Sequence, residues 1–323
     1  MMKSIKRLSL FGSGIIALIC LVFAIAHATR DHEALTLDQS QRENIGGDYI
    51  SIPQGVVHYE FSANGTGPVI VLVHGFSVPS YVWEPTFNTL KANGFRVLRF
   101  DLFGRGFSDR PDLEYVMDDY VAQLHALLQA LKIEKTVQLV GLSMGGAVVT
   151  HFTNRYPEKV ERLSLIAPLI RTPDRPELLP LMVPVLGDWL ADVLMVPTLR
   201  KGVSKAVYDP STFPDWERRL NPQTQYAGYT HAILNTARQL RGQDFSAQYF
   251  TMLDLQKPVQ LIWGENDQTL PYSDHTVITD YASKPGQRAK IDFRPIPKSG
   301  HLPHWEHPEL VGRALIEFLR PEE

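Results

Sequence analysis

An α/β fold, with a mostly parallel sheet flanked by helices and a helical cap inserted between strands, is what this sequence predicts. Three observations carry that expectation. Continuous aliphatic runs at 69–73, 96–102, 137–140 and 162–167 read as strands buried on both faces. Segments of helical periodicity at 81–93, 118–131 and 145–156 separate them. The alternation stops at Pro168 and resumes only with the strand 259–263, a gap of about ninety residues where a connecting loop needs far fewer.

Taken in order, 49–61 holds short apolar runs broken by Pro53-Gln54-Gly55, the pattern of an antiparallel hairpin, and Asn64-Gly65-Thr66-Gly67-Pro68 supplies the next turn. The first buried strand ends in His74-Gly75. Helix 81–93 closes on Gly94, a residue suited to a helix C-terminus. Val121, Leu124, Leu127, Leu128 and Leu131 recur near helical spacing, and the helix 145–156 stops before Pro157. Strand alternating with helix implies right-handed crossovers between parallel strands. Residues 169–256 then form the cap, Pro-rich and helical, with a strongly apolar piece at 178–199 whose Asp188, Asp192 and prolines argue against a membrane span. Strand 289–296 and an amphipathic helix at 308–319 complete a core made of 47–168 and 257–323.

At 323 residues, with 44% hydrophobic and 21% charged, the chain suits a packed globular enzyme and not a disordered one. A net charge of −3 offers no footprint for nucleic acid. Cys20 is the single cysteine, so the chain cannot form an internal disulfide, and the part beyond residue 20 holds no thiol nucleophile or thiolate metal site.

The N-terminus reads as an address. Lys3, Lys6 and Arg7 precede an uncharged apolar stretch, 8–28, that ends in Ala26-His27-Ala28. Residues 1–29 are therefore expected to be a cleaved signal peptide or an uncleaved membrane anchor, with a soluble or interfacial segment as the third reading. Ile19 before Cys20 argues against a lipoprotein signal. Either leading reading places the rest of the chain beyond the membrane, secreted, periplasmic or anchored through 8–28. Residues 30–46 are polar and read as a linker.

Gly141-Leu142-Ser143-Met144-Gly145 is a G-x-S-x-G motif entered by a strand and left by a helix. That turn is sharp, which strains the serine and requires glycine beside it. Four further pieces stand at or just beyond strand ends: His74-Gly75-Phe76, the run Asp101-Leu102-Phe103-Gly104-Arg105-Gly106-Phe107-Ser108, Trp263-Gly264-Glu265-Asn266-Asp267, and Ser299-Gly300-His301. On these five pieces, which follow one another along the chain in the family's order with the elbow third, the chain from about 49 to 319 resembles the α/β-hydrolase superfamily.

The resemblance implies a serine hydrolase with Ser143 as nucleophile, His301 as general base and Asp267 as the acid that orients it, in the order Ser, acid, His. Glu265, two residues before Asp267, is a rival for the acid, and His304 and His307 are rivals for the base. The family pattern makes the backbone N–H groups of Phe76 and Met144 the oxyanion hole. Asp101 and His74 read as structural. Serine at the elbow argues against the dehalogenases and epoxide hydrolases of the superfamily, which use aspartate there. Acyl transfer remains, without cofactor, and His301-x-x-His304-x-x-His307 lacks the context to gather a metal.

Carboxylic ester hydrolysis is the expected reaction, on a small-molecule or lipid-like ester whose acyl group meets Trp189, Leu190 and Met195 in the cap. Plain packing is the bland reading of those three side chains. Hydrolysis of a carbon–carbon bond beside a ketone, or cofactor-free perhydrolysis, would use the same triad. A non-catalytic binding protein of the same fold is the alternative from another class.

Overall fold

A computed structural model describes residues 21, 22, 25, 33–202 and 206–320. Strands β1 (Asp48–Ile52) and β2 (Gly55–Ser62) form the expected hairpin. Beyond them come β3 (Thr66–Val73), β4 (Phe95–Phe100), β5 (Val137–Leu142), β6 (Val160–Ile166), β7 (Val259–Gly264) and β8 (Ile291–Ile296). All eight make one sheet in the order β1-β2-β4-β3-β5-β6-β7-β8, antiparallel at the β1–β2 and β2–β4 pairs and parallel elsewhere. This is an α/β-hydrolase fold with a helical cap inserted between β6 and β7.

The aliphatic runs are buried on both sides because the two sets of alternating side chains enter different cores. Val69, Val71 and Val73 pack with the helices Met117–Ala130, Met144–Arg155 and Ser246–Asp254. Ile70 and Leu72 pack on the opposite face with Glu84–Ala92 and Pro308–Leu319. A strand residue points to alternate faces, so a run with no polar break needs cover on both. The chain leaves β3 toward β4 and leaves β5 toward β6, so the loops after these adjacent strands diverge. In open α/β sheets a crevice forms at such a switch point.

Strand β4 stops at Phe100, short of the expected 102, because Asp101 turns its carboxylate back into the structure. It accepts from the Ser80 N–H at 2.8 Å and the Phe107 N–H at 2.9 Å and pairs with His58 at 2.7 Å. Burial opposes that negative charge, but His58 and these donors outweigh it and hold the carboxyl well below its ordinary range.

In the cap, 178–199 is broken into short pieces: a 3₁₀ turn at Pro176–Met182, helix Leu186–Leu190, a π turn at Ala191–Met195 and helix Val196–Lys201. Prolines at 180, 184 and 197 remove backbone donors and prevent one long helix. The longest cap helix is Tyr229–Leu240. Residues 33–45, inside the stretch read as a linker, lie against this cap. The Leu35 N–H donates to Gln225 O at 3.0 Å, and Glu33 accepts from the N–H groups of Gly228 and Thr230 at 2.6 and 2.5 Å.

The signal or anchor expected at the N-terminus, and the location beyond a membrane built on it, are corrected here. Among the described residues no helix is long and apolar enough to cross a membrane. Of the apolar stretch 8–28 only Leu21, Val22 and Ile25 are described; its remainder lies outside the described residues.

Candidate active site

Strand β5 delivers Ser143 at φ 55° and ψ −122°, a left-handed φ that a non-glycine residue holds only at a cost of about 1–3 kcal/mol. The surroundings enforce it. The Ser143 N–H donates to Ile166 O at 3.0 Å, and its carbonyl accepts from the N–H groups of Leu169 and Gly146, each at 2.9 Å. Gly145 is required for space: a Cβ there would lie 2.2 Å from the Val73 carbonyl oxygen. A Cβ on Gly75 would lie 3.1 Å from Ser143 Cβ, so the loop after β3 passes directly over the serine.

That loop carries Phe76, and its backbone is pinned on both sides. His74 Nδ1–H donates to the Gly75 carbonyl at 2.9 Å, while its Nε2 accepts from the Leu102 N–H at 2.9 Å. Burial lowers the His74 pKa to about 4, which keeps the ring neutral and able to play both parts. The Phe76 carbonyl accepts from Arg105 Nε at 2.9 Å. Met144 opens the helix Met144–Arg155, so its N–H has no acceptor within that helix. The two backbone groups expected as an oxyanion hole thus flank the serine, one in the loop over it and one in the peptide that follows it.

On the other side of the crevice, Asp267 Oδ2 lies 2.7 Å from His301 Nδ1. The Asp267 side chain is fully buried and accepts three further bonds: Trp263 Nε1 at 3.2 Å, Thr269 N–H at 2.8 Å and Leu270 N–H at 3.0 Å. An ionised carboxylate has about four acceptor sites, so this set satisfies it. The network assigns the His301 proton to Nδ1 and leaves Nε2 as an acceptor. Ser143 Oγ itself makes no hydrogen bond among the described residues; such contacts often tighten only when substrate binds.

The rivals are placed elsewhere. Glu265 is exposed. His304 is fully buried, donates from Nε2 to the Val82 carbonyl at 3.2 Å and lies on Trp83 with ring centroids 4.6 Å apart. Burial lowers its pKa to about 3. His307 Nε2 bonds the Lys298 carbonyl at 3.0 Å. Among the described residues no group of His, Cys, Asp and Glu is arranged to hold a metal.

The three cap side chains expected at an acyl wall part company. Met195 packs with Val196, Tyr229 and Ile233 in a cluster that also takes Phe76. Leu190 packs with Leu181, Ala191 and Leu234 within the cap, and Trp189 is half-buried on the same short helix. Leu179, Val183, Val185, Leu186 and Leu194 face solvent. The apolar character of 178–199 is therefore spent mostly on the cap itself.

Glu306 has no counterpart in the sequence reading. Its Oε1 accepts from the Gly300 N–H at 2.7 Å and its Oε2 from the Tyr208 N–H at 2.6 Å, so it ties the loop before His301 to the cap. The His301 N–H donates to Ala206 O at 2.7 Å in the same place. No pattern in the sequence signals this, because Tyr208 lies 98 residues away. Glu306→Ala strands the buried Gly300 N–H and leaves the exposed Tyr208 N–H to water, and is expected to lower stability by about 1–2 kcal/mol. Urea unfolding beside the wild-type chain measures it, and an unchanged midpoint would show the clamp to be idle.

Comparison with known proteins agrees with this fold. The alpha/beta hydrolase fold family matches residues 68–308. An uncharacterized Mycobacterium tuberculosis protein is 32% identical over 80% of this chain and 77% of its own length. A 2-hydroxy-6-oxononadienedioate/2-hydroxy-6-oxononatrienedioate hydrolase of Paraburkholderia phymatum is 26% identical, over 84% of this chain and 94% of its own. Among solved structures, a thermophilic esterase from Thermogutta terrifontis superposes with a TM-score of 0.68 at 25% identity, covering 85% of this chain and 98% of that one. The expectation of a lipid-like substrate with membrane association is corrected by these findings: no described helix crosses a membrane, and a relative spanning nearly the whole fold is named for a small dioate. The chain belongs to the α/β-hydrolase family and is a hydrolase of that fold.

Proposed function

We propose that this chain hydrolyses a carbon–carbon bond beside a ketone in a small substrate carrying an anionic group, with Ser143, His301 and Asp267 as the catalytic triad. Ser143 Oγ adds to the ketone carbon as its proton passes to His301 Nε2, and the oxyanion is received by the Phe76 and Met144 N–H groups. Collapse breaks the carbon–carbon bond; the departing carbon takes the proton from His301, leaving an acyl-serine. Water, deprotonated by His301, then releases a carboxylic acid and restores Ser143. The sum is ketone plus water giving an acid and a protonated fragment.

A carbon leaving group is a far stronger base than an alkoxide, so this reaction needs its electron pair delocalised into an enolate held by cations or donors. The observation that carries the proposal is a set of buried donors left without a protein partner beside Phe76. Arg200 Nε and Nη2, Tyr229 Oη and Tyr81 Oη are all buried and unbonded. Tyr229 belongs to the cluster that packs Phe76, and the helix Val196–Lys201 that carries Arg200 contributes Val196 and Leu199 to it. Burial pushes the Tyr229 phenol up to about 12 and the Tyr81 phenol further, so both hydroxyls keep their protons at neutral pH. Asp192, Glu217 and Glu33 act on Arg200 at longer range, and Glu33 is already engaged by the Gly228 and Thr230 N–H groups. Buried donors without a protein partner are open to a ligand, and an anionic one would satisfy them. The name of the Paraburkholderia relative supports the same chemistry.

A second reading, hydrolysis of a short carboxylic ester through the same acyl-serine, is supported by the likeness to the Thermogutta esterase. One experiment divides them. Turnover of a 2-hydroxy-6-oxo-dienoate ring-cleavage product is compared with that of p-nitrophenyl acetate, in the wild-type chain and in Arg200→Met. The ketone is expected to be preferred, and Arg200→Met to cut its turnover by about 100-fold while acetate hydrolysis falls less than about threefold. Preference for acetate, or equal losses on both, would favour the ester reading.

A further inference from the structure

We propose that Arg105 is a positioning residue that couples the docking of the cap to the backbone donor at Phe76. Its guanidinium is fully buried and each nitrogen is committed to a different part of the fold. Nε donates to the Phe76 carbonyl at 2.9 Å. Nη1 donates to the Phe103 carbonyl at 3.1 Å and to Tyr120 Oη at 2.6 Å. Nη2 donates to Thr236 Oγ1 at 2.8 Å, on the cap helix Tyr229–Leu240.

Four of the five guanidinium N–H groups are engaged in this way. Thr236 Oγ–H donates to the Ala232 carbonyl at 2.7 Å, which leaves its two lone pairs for Arg105 and for the Tyr120 hydroxyl at 2.8 Å. Among the described residues no carboxylate bonds Arg105; the rings of Phe76, Tyr115 and Tyr120 lie 5.5, 6.0 and 5.5 Å from its guanidinium carbon. A buried cation without a paired anion is a poor way to fill space, since apolar side chains do so at less cost. What it supplies is direction: a planar fork that fixes three elements relative to one another. The neighbouring residue presses on the same helix. A Cβ on Gly104, where φ is +81°, would lie 2.3 Å from Ala232 Cβ.

The consequence is chemical. The Gly75 carbonyl is held by His74 and the Phe76 carbonyl by Arg105, so the Phe76 N–H between them has a fixed direction. Donors fixed in advance are what stabilises an oxyanion, and a small tilt of the peptide degrades them. Because the same guanidinium grips Thr236, displacement of the cap helix is transmitted to that peptide. The inference rests on the reading of Phe76 and Met144 as the oxyanion donors of a Ser143 reaction.

The test uses the full chain, p-nitrophenyl acetate as probe, and active sites counted by a fluorophosphonate. Arg105→Lys is expected to lower kcat per titrated site by about 100-fold with KM changed less than about threefold, the pattern of a lost transition-state contact. Thr236→Val and Tyr120→Phe, each removing one strand of the network, are expected to lower kcat by about three- to tenfold. Thr236→Val added to Arg105→Lys should cost little more, since both act through one grip. A merely structural arginine would lower the melting temperature and the number of active sites while leaving kcat per site intact; that result, or full additivity, overturns the proposal. Should Arg105→Lys fail to fold, an unchanged kcat per site in both Thr236→Val and Tyr120→Phe overturns it equally. Ser143→Ala run alongside keeps the two ideas apart: turnover surviving in that variant would discredit the nucleophile and with it the oxyanion reading on which the role of Arg105 rests, whereas a dead Ser143→Ala beside an unchanged kcat per site in Arg105→Lys would discredit the arginine alone.

Discussion

Ser143→Ala is expected to lose at least about a thousandfold in turnover on any substrate the chain accepts, as removal of a triad nucleophile does elsewhere. The fold should hardly notice. Ser143 Oγ has no hydrogen bond to forfeit among the described residues, and alanine meets the same left-handed φ of 55° at the same cost. Stability is therefore expected to stay within about 0.5 kcal/mol of the wild-type chain. Rate and melting curve measured on one preparation make the comparison clean. A stable alanine variant with undiminished turnover would remove Ser143 from the mechanism.

Asp267→Asn is expected to be severe too, about 10⁴-fold in kcat. The carboxylate accepts on both oxygens: Oδ2 from His301 Nδ1–H and Trp263 Nε1–H, Oδ1 from the Thr269 and Leu270 N–H groups. An amide must turn its NH₂ toward one of these donor sets. Facing Thr269 and Leu270 it meets two N–H groups; facing His301 it forces the ring proton onto Nε2, where the base should be vacant. His301→Ala should be as damaging as Ser143→Ala, and the double variant scarcely worse, because the residues act as a unit. His304→Ala separates chemistry from packing. That ring is fully buried against Trp83, so its loss should lower stability and leave kcat nearly intact. If His304→Ala proved the variant that abolishes turnover, the base would be misassigned.

Much of the fold was legible because its signals are local. Val69 to Val73 is unbroken by any polar residue, and only cover on both faces explains that. Gly141 and Gly145 around Ser143 announced a sharp turn within five consecutive residues. Strand ends were less secure. Asp101 was read as part of a strand, yet hydrogen bonds to Ser80 and Phe107, neither visible in its local pattern, pull it out.

The site was legible where one residue type at one strand end was enough. It was illegible where the partner lies far away in sequence. Arg105 stood in a quoted motif, but its bond to Thr236 crosses 131 residues. Glu306 follows His301 by five positions and gave no sign of reaching Tyr208. The apolar run 178–199 left open what it packs against for a related reason: hydrophobicity records that side chains avoid water, and not which neighbour covers them.

The sequence by itself determined the fold class, the cap's position after β6 and the identity of the elbow serine, because periodicity and sharp-turn chemistry are properties of adjacent residues. Tertiary structure alone decided that His304 is buried packing and that Arg200, Tyr229 and Tyr81 carry buried polar atoms without a protein partner. Burial and pairing depend on which distant segments meet, and one strand of sequence carries no record of that until it is folded.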